Sequence, residues 1–165
     1  MKHVIDTSVA IKTVIAEPDS AKAIQLRDDC NNGLHDLIAP DLYPTEICNV
    51  LMMAERTGKI RPGEAAVFLS DFILDLPALC DAVPLLPRAL EISQKFRQSV
   101  YDCLYVALAE REGCELVTAD DKLIKAVQPT MPFVVPLANL YHNQLDEAQF
   151  AAWVKQASQL PGERL

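Results

Sequence analysis

The chain alternates short apolar runs of strand length with longer segments in which apolar residues recur at helical spacing. The predicted strands are 2–5, 37–39, 82–85, 115–118 and 133–135. The predicted helices are 21–31, 43–57, 62–76, 87–97, 101–112 and 121–127. Strands that are separated by helices pair in parallel, because a parallel connection needs a long crossover. The pattern therefore predicts an α/β fold of three α/β/α layers around a mostly parallel central sheet.

The chain has 165 residues, half of them hydrophobic, which is enough to bury the core of one domain. We expect residues 1–140 to form that domain. The more polar segment 141–165 contains Phe150, Trp153, Val154 and Ala157 at helical spacing. This stripe predicts an amphipathic C-terminal helix that packs on its own domain or docks on a partner.

The formal net charge of −8 argues against a simple cationic nucleic-acid binder. An acidic protein can still act on RNA when metal ions neutralise its site. The five cysteines have no CxxC spacing, which favours reduced core thiols in a cytoplasmic protein. Because Asp6 and Lys12 interrupt the first apolar stretch, no secretory signal is expected. No membrane partner is expected either, because Asp71, Asp75 and Asp81 interrupt the most apolar region.

Four acidic residues occupy positions that can converge on one site. In open α/β sheets, ligands bind in the crevice beyond the carboxyl ends of the strands. Asp6 closes the first predicted strand, and Asp120 follows the strand at 115–118. Glu46 and Asp102 lie in the first turns of two predicted helices. Each acid also has a structural interpretation, because Asp6 and Asp120 can cap helices and the other two can complement helix dipoles.

Asp102 is the acid that a purely structural role explains least well. Its surroundings, VYDCLYVALA, are almost wholly apolar and predict a buried helix. No Lys or Arg lies within four residues of it. Because a lone buried charge is very unfavourable, Asp102 needs a partner, and a bound cation would serve.

Four segments, VIDTSV, PTEICNVL, YDCLYVALAE and LVTADDKL, follow one another between residue 2 and about residue 137. In order and separation they resemble the four motifs of PIN-domain nucleases, close to the VapC toxins of bacterial and archaeal toxin–antitoxin pairs. The resemblance implies that the catalytic acids are Asp6, Glu46, Asp102 and Asp120. It also implies supporting or substrate-binding roles for Ser8, Asn49, Thr118 and Asp121.

The resemblance implies a Mg²⁺-dependent ribonuclease, with Mn²⁺ as a substitute, whose products carry 5′-phosphate and 3′-hydroxyl ends. Asp6, Asp102 and Asp120 would contact the metal, and Glu46 would do so directly or through water. Mg²⁺ prefers oxygen ligands and retains several waters. Two like charges 4 Å apart repel by about 4 kcal/mol at an effective dielectric of 20, so converging carboxylates favour a cation. Whether one or two ions act stays open.

The expected partners are RNA, a small VapB-like antitoxin and a second copy of the chain. RNA must be held locally by basic groups, for which Arg56, Lys59 and Arg61, with Lys12 near the first motif, are the candidates. The cluster at 56–61 can equally be an ordinary solvated helix end. The apolar helix predicted in 64–76 fits a protein with buried contact surfaces.

Three alternatives remain. One is a housekeeping PIN-domain nuclease that processes RNA without an antitoxin, and another is a PIN module that binds RNA or a partner without cutting. A phospho-acceptor receiver domain is disfavoured, because Thr7 and Ser8, instead of a second acid, follow Asp6.

Overall fold

The structure, a computed structural model, describes residues 1–140 of the chain. The strands are β1 Lys2–Ile5, β2 Asp36–Pro40, β3 Ala78–Cys80, β4 Glu115–Thr118 and β5 Val134–Pro136. The helices are α1 Thr7–Ala10, α2 Ser20–Asn31, α3 Tyr43–Arg56, α4 Glu64–Leu74, α5 Leu86–Phe96, α6 Val100–Glu112 and α7 Asp121–Val127. The tail 141–165, with its predicted amphipathic helix, lies outside the described residues.

The five strands form one parallel sheet in the order β3-β2-β1-β4-β5. Helices connect the parallel strands and cover the sheet, which confirms the predicted three-layer α/β/α fold. From β1 the chain first builds outward through β2 and β3, and then returns to place β4 on the other side of β1. The crevice of such a sheet therefore lies beyond the carboxyl ends of β1 and β4.

Helix α6 is the buried centre of one helical layer. It packs over β1, β2 and β4 and against α5. Seven consecutive residues, 103–109, are buried. A helix with apolar residues on every side is expected inside a protein, so the apolar sequence of α6 follows from this position between sheet and helix.

Helix α4 is equally apolar but lies at the surface. It packs against α3, and none of its side chains is fully buried. Val67, Ile73 and Leu74 are 59%, 56% and 87% exposed. These exposed side chains agree with the expectation that the apolar helix predicted in 64–76 provides a contact surface. Within residues 1–140, no helix combines the length and apolar character that crossing a bilayer requires.

The strand predicted at 82–85 is wrong. The edge strand is β3, in which Ala78 and Cys80 lie opposite Ile38 and Pro40 of β2. Residues Val83–Leu85 instead form a 3₁₀ turn. Asp81 accepts the Val83 N–H at 2.9 Å, and proline at 84 fixes its own φ and lacks an N–H for a strand ladder.

The expectation that the cysteines are core residues holds only in part. All five are free thiols. Cys103 is buried in α6, whereas Cys48 is exposed on α3. Apolar neighbours in the sequence did not distinguish the inner from the outer face of that helix.

Candidate active site

Asp6 lies at the crevice, immediately after β1. It is 8% exposed, and its carboxylate accepts hydrogen bonds from the Ser8 backbone N–H and from the Thr118 hydroxyl. The Ser8 hydroxyl accepts the Ala119 N–H at 2.8 Å, which fastens the start of α1 to the end of β4. Asp6 is therefore the N-cap of α1, as its structural interpretation predicted, and it is also a buried acid of the crevice.

Asp120 adjoins the same place from the end of β4. Its Oδ1 accepts the N–H groups of Lys122 and Leu123 at 2.8 and 3.1 Å, so it caps α7. Its own N–H donates to Thr118 Oγ1 at 3.1 Å. Thr118 therefore connects Asp6 and Asp120, as the adjacent pairing of β1 and β4 requires.

Glu46 enters the crevice from the first turn of α3 and is half-buried. Its carboxylate accepts a hydrogen bond from the hydroxyl of Tyr105, a buried residue of α6. Tyr105 was not among the predicted site residues. The available signal was its position three residues after Asp102, which places both side chains on the same face of one helix.

Asp102 occupies the first turn of α6, but it is half-buried and not buried as expected. The burial of α6 begins at the next residue, so the carboxylate reaches the rim of the apolar region. Ser99 caps the helix, accepting the Asp102 N–H at 3.1 Å and donating its hydroxyl to the Asp102 carboxylate at 2.7 Å. Ser99 was not among the predicted site residues, although Ser-x-x-acid is a known capping pattern.

Two of the acids in the crevice have raised pKa values. Burial, opposed by hydrogen bonds from Ser8 and Thr118 and assisted by the negative charge of Asp102, raises the pKa of Asp6. Burial also raises the pKa of Glu46, against the Tyr105 hydrogen bond and with the charges of Asp6 and Asp102. Negative charge at Asp102 therefore disfavours ionisation of both Asp6, which follows β1, and Glu46 on α3.

The two remaining candidates lie farther out. Asn49 is exposed on α3, one helical turn beyond Glu46, and Asp121 is exposed in the first turn of α7. The structure thus brings together Asp6, Glu46 and Asp102, joins Asp120 to them through Thr118, and leaves Asn49 and Asp121 at the surface.

The donor set of the crevice fits a hard cation, because its side chains offer carboxylate and hydroxyl oxygens. Among residues 1–140, no three His, Cys, Asp or Glu side chains are arranged as a ready-made metal cage. This arrangement still suits Mg²⁺, which is commonly held by one or two carboxylates and retains water in its other positions. The raised pKa values of Asp6 and Glu46 are those of carboxylates that a cation would stabilise in the charged form.

Two of the four predicted basic residues contact the same acid. Glu17 accepts hydrogen bonds from Lys12 and Lys59, each at 3.1 Å. Lys12 follows α1 and is largely buried, while Lys59 follows α3 and is exposed. Arg56 and Arg61 are exposed in the same region of the sequence. Two lysines that are distant in sequence therefore meet, with a single carboxylate between them.

Comparison with known proteins identifies the family. The model of the PIN domain family matches residues 3–128. Ribonuclease VapC3 of Pyrobaculum aerophilum is 33% identical over 125 residues, which cover 74% of this chain and 92% of the relative. Ribonuclease VapC1 of Mycobacterium tuberculosis (strain H37Rv) is 31% identical over 137 residues, covering 81% and 96%.

The fold is shared with a solved structure, the crystal structure of PAE2754 from Pyrobaculum aerophilum. The TM-score is 0.62 at 20% identity, and the match covers 92% of this chain and 99% of that one. The sequence matches, the shared fold and the acids at the β1–β4 crevice lead to one conclusion. The chain belongs to the PIN domain family, among the VapC ribonucleases.

Proposed function

We propose that the protein is a Mg²⁺-dependent endoribonuclease and the toxin of a toxin–antitoxin pair. The observation that carries the proposal is the meeting of Asp6, Glu46 and Asp102 at the crevice between β1 and β4. There the charge of Asp102 helps to raise the pKa of Asp6, and the charges of Asp6 and Asp102 help to raise the pKa of Glu46. A buried group of like charges lowers stability. Its presence at the ligand-binding end of the sheet points to a cationic cofactor.

Asp6 and Asp102 would hold the ion, with Asp120 contributing the carboxylate oxygen that does not cap α7. Glu46 would bind it directly or through water. When bound, the cation lowers the pKa of water and stabilises negative charge on a phosphodiester. Ser8 and Thr118 keep the Asp6 carboxylate facing the crevice, and Ser99 does the same for Asp102.

Substrate RNA needs positive charge outside the acidic crevice. Lys12, Lys59, Arg56 and Arg61 are the candidates. Since Glu17 is shared by two lysines, the group keeps a net positive charge that can bind backbone phosphates. Such contacts carry no base information, so specificity is expected to come from RNA shape and single-stranded segments.

The enzymatic proposal is tested on the purified chain, freed of bound partners and metal. Mixed RNA is incubated with Mg²⁺, with Mn²⁺, and with either ion plus excess EDTA, and the product ends are mapped. We expect cleavage with either ion, none with EDTA, and 5′-phosphate ends. Cleavage that persists in EDTA, or products with 2′,3′-cyclic phosphate, would refute the metal-dependent hydrolysis.

The toxin proposal adds a protein partner. The exposed apolar side chains of α4, next to α3, offer surface for an antitoxin helix or for a second copy of the chain. An arginine from the antitoxin would pair with the carboxylates of the crevice in bidentate fashion and so block the site. Both binding modes are expected in the cytoplasm, where the RNA substrate lies.

The toxin role is tested by induced expression in a bacterial host. We expect growth arrest from the wild-type chain and none from Asp6→Ala. Asp36→Ala is the matched control, because Asp36 is exposed at the opposite end of the sheet and should leave toxicity unchanged. Normal growth with the wild-type chain, despite cleavage in the test tube, would favour a housekeeping nuclease.

A further inference from the structure

Tyr105 connects two walls of the crevice. Its ring is 2% exposed within α6, and its hydroxyl donates to the Glu46 carboxylate on α3. Tyr105 lies three residues after Asp102, so one face of α6 carries both an acid of the crevice and the donor to a second acid. A buried phenol needs a hydrogen-bond partner, and the partner of Tyr105 is a carboxylate of the crevice and not a backbone carbonyl of the core.

Glu46 is the acid that most needs such a partner. Asp6 and Asp102 each accept a hydrogen bond from a residue close in sequence, from the Ser8 backbone N–H and the Ser99 hydroxyl respectively. Glu46 has a longer side chain and is repelled by both of those carboxylates. Without a donor, its lowest-energy position would be turned toward solvent, away from the other acids.

We propose that Tyr105 is a positioning residue for Glu46. Its hydroxyl holds one carboxylate oxygen in the crevice against the repulsion of Asp6 and Asp102, so that the other oxygen faces the cation or its waters. This inference rests on the proposed function, because it concerns the same metal site. Tyr105 touches neither the cation nor the RNA in this role, and it acts only through Glu46.

The test is a double-mutant cycle of Tyr105→Phe and Glu46→Gln, with the Mg²⁺ dissociation constant measured by calorimetry on the metal-free protein. Phenylalanine keeps the ring and removes only the hydroxyl. We expect Tyr105→Phe to weaken Mg²⁺ binding by about 10–100-fold, the usual loss when a partner of a metal ligand is removed. In the Glu46→Gln background, the same change should alter binding less than about 2-fold, because the residue it acts through is gone.

Tyr101→Phe is the matched control, because Tyr101 is on the same helix but 65% exposed, and it should leave Mg²⁺ binding unchanged. Equal losses from Tyr105→Phe in both backgrounds would mean a general packing role and overturn the inference. So would wild-type affinity in Tyr105→Phe. If the wild-type chain itself binds no Mg²⁺ and cuts no RNA, the proposed function fails first. If the wild type is active and only the cycle is additive, the positioning role alone fails.

Discussion

The two ends of the parallel sheet both bury ionisable groups, but they treat them in opposite ways. At the carboxyl end, Asp6 receives hydrogen bonds from Ser8 and Thr118. At the amino end, His3 is 2% exposed, and neither ring nitrogen has a hydrogen-bond partner within the described part of the chain. The carboxyl end supplies hydrogen-bond donors to a buried carboxylate, whereas the amino end buries an imidazole ring whose charged form is disfavoured.

The neighbours of His3 complete the contrast. Its ring packs edge-on against His35, with centroids 4.9 Å apart, and its Nδ1 lies 3.6 Å from a carboxylate oxygen of Glu115. Burial, His35 and the N-terminal ammonium lower the pKa of His3 from 6.5 to about 4. At neutral pH the amino end therefore holds a neutral imidazole, whereas the carboxyl end holds carboxylates under mutual repulsion. We therefore expect substitutions at the carboxyl end to change activity and substitutions at the amino end to change the free energy of unfolding.

The largest effect is expected at the carboxyl end. Asp102→Asn should reduce RNA cleavage by at least about 10³-fold, because losing even an outer partner of a metal ligand reduces activity by about 10–100-fold. The fold should persist, since Asn keeps the shape of the side chain and can still accept from the Ser99 hydroxyl. Initial cleavage rates and circular dichroism test both statements. A folded variant that cuts RNA at the wild-type rate would remove Asp102 from the site.

The next effect belongs to the amino end. The unfolded chain protonates His3 near pH 6.5, whereas the folded chain resists protonation until about pH 4. The stabilisation is therefore complete above pH 6.5 and falls as the pH drops toward 4, by up to about 3 kcal/mol. Chemical unfolding across this range should show that loss in the wild type and a shallower one in His3→Leu. Identical pH profiles would mean that His3 stays solvated.

The carboxyl end should respond to acid with the opposite sign, because raised carboxyl pKa values favour the protonated folded state as pH falls. Asp6→Asn mimics that protonation. Without metal it should stabilise the protein by about 1 kcal/mol, a rise in Tm of about 2–4 °C for a chain of this size. Asn is also an adequate helix N-cap, so α1 should be retained.

Magnesium should reverse the order of stability of the wild type and Asp6→Asn. An ion at 100 times its dissociation constant adds about 2.7 kcal/mol to the folded state that binds it. We therefore expect the wild type to become the more stable protein in saturating Mg²⁺, while Asp6→Asn gains little. Thermal unfolding with Mg²⁺ and with EDTA measures both. If Mg²⁺ stabilises the two proteins equally, the ion binds elsewhere. The repulsion between the carboxylates of the crevice must then be offset by something other than Mg²⁺.

The sequence was sufficient for features that depend on strand ends and poor for features that depend on how helices rotate and pack. Asp6 and Thr118 could be assigned to one place, because adjacent parallel strands bring their carboxyl ends together. The Tyr105–Glu46 contact joins residues 59 positions apart on two helices, and only the packing of those helices determines it. The same holds for His3 and His35, which are distant in sequence and meet at the sheet.

Errors in the sequence argument came from apolar content taken without position. The run at 82–85 is apolar enough for a strand, but the proline within it and Asp81 before it favour a turn. The edge strand β3 is short and more exposed, so its sequence carries a weak strand signal. For Asp102, the apolar helix was recognised correctly, and the error was to extend its burial into the first turn.

The smallest expected effect defines the border of the acidic end. Asp121 is exposed, whereas Asp120 is half-buried and hydrogen-bonded to Thr118 through its N–H. Asp121→Asn should therefore leave cleavage within about 2-fold of wild type and reduce stability by about 0.3–1 kcal/mol, through a weaker interaction with the α7 dipole.

Asp120→Asn is the matched comparison, because Asn can still cap α7 while losing the charge that would face a cation. Cleavage rates of the two variants, measured over a Mg²⁺ titration, should separate, with a higher Mg²⁺ requirement for Asp120→Asn alone. If instead Asp121→Asn raises the Mg²⁺ requirement and Asp120→Asn does not, Asp120 is only a helix cap. The fourth acid of the crevice would then be its exposed neighbour, and the acidic end would extend farther toward solvent than the buried carboxylates indicate.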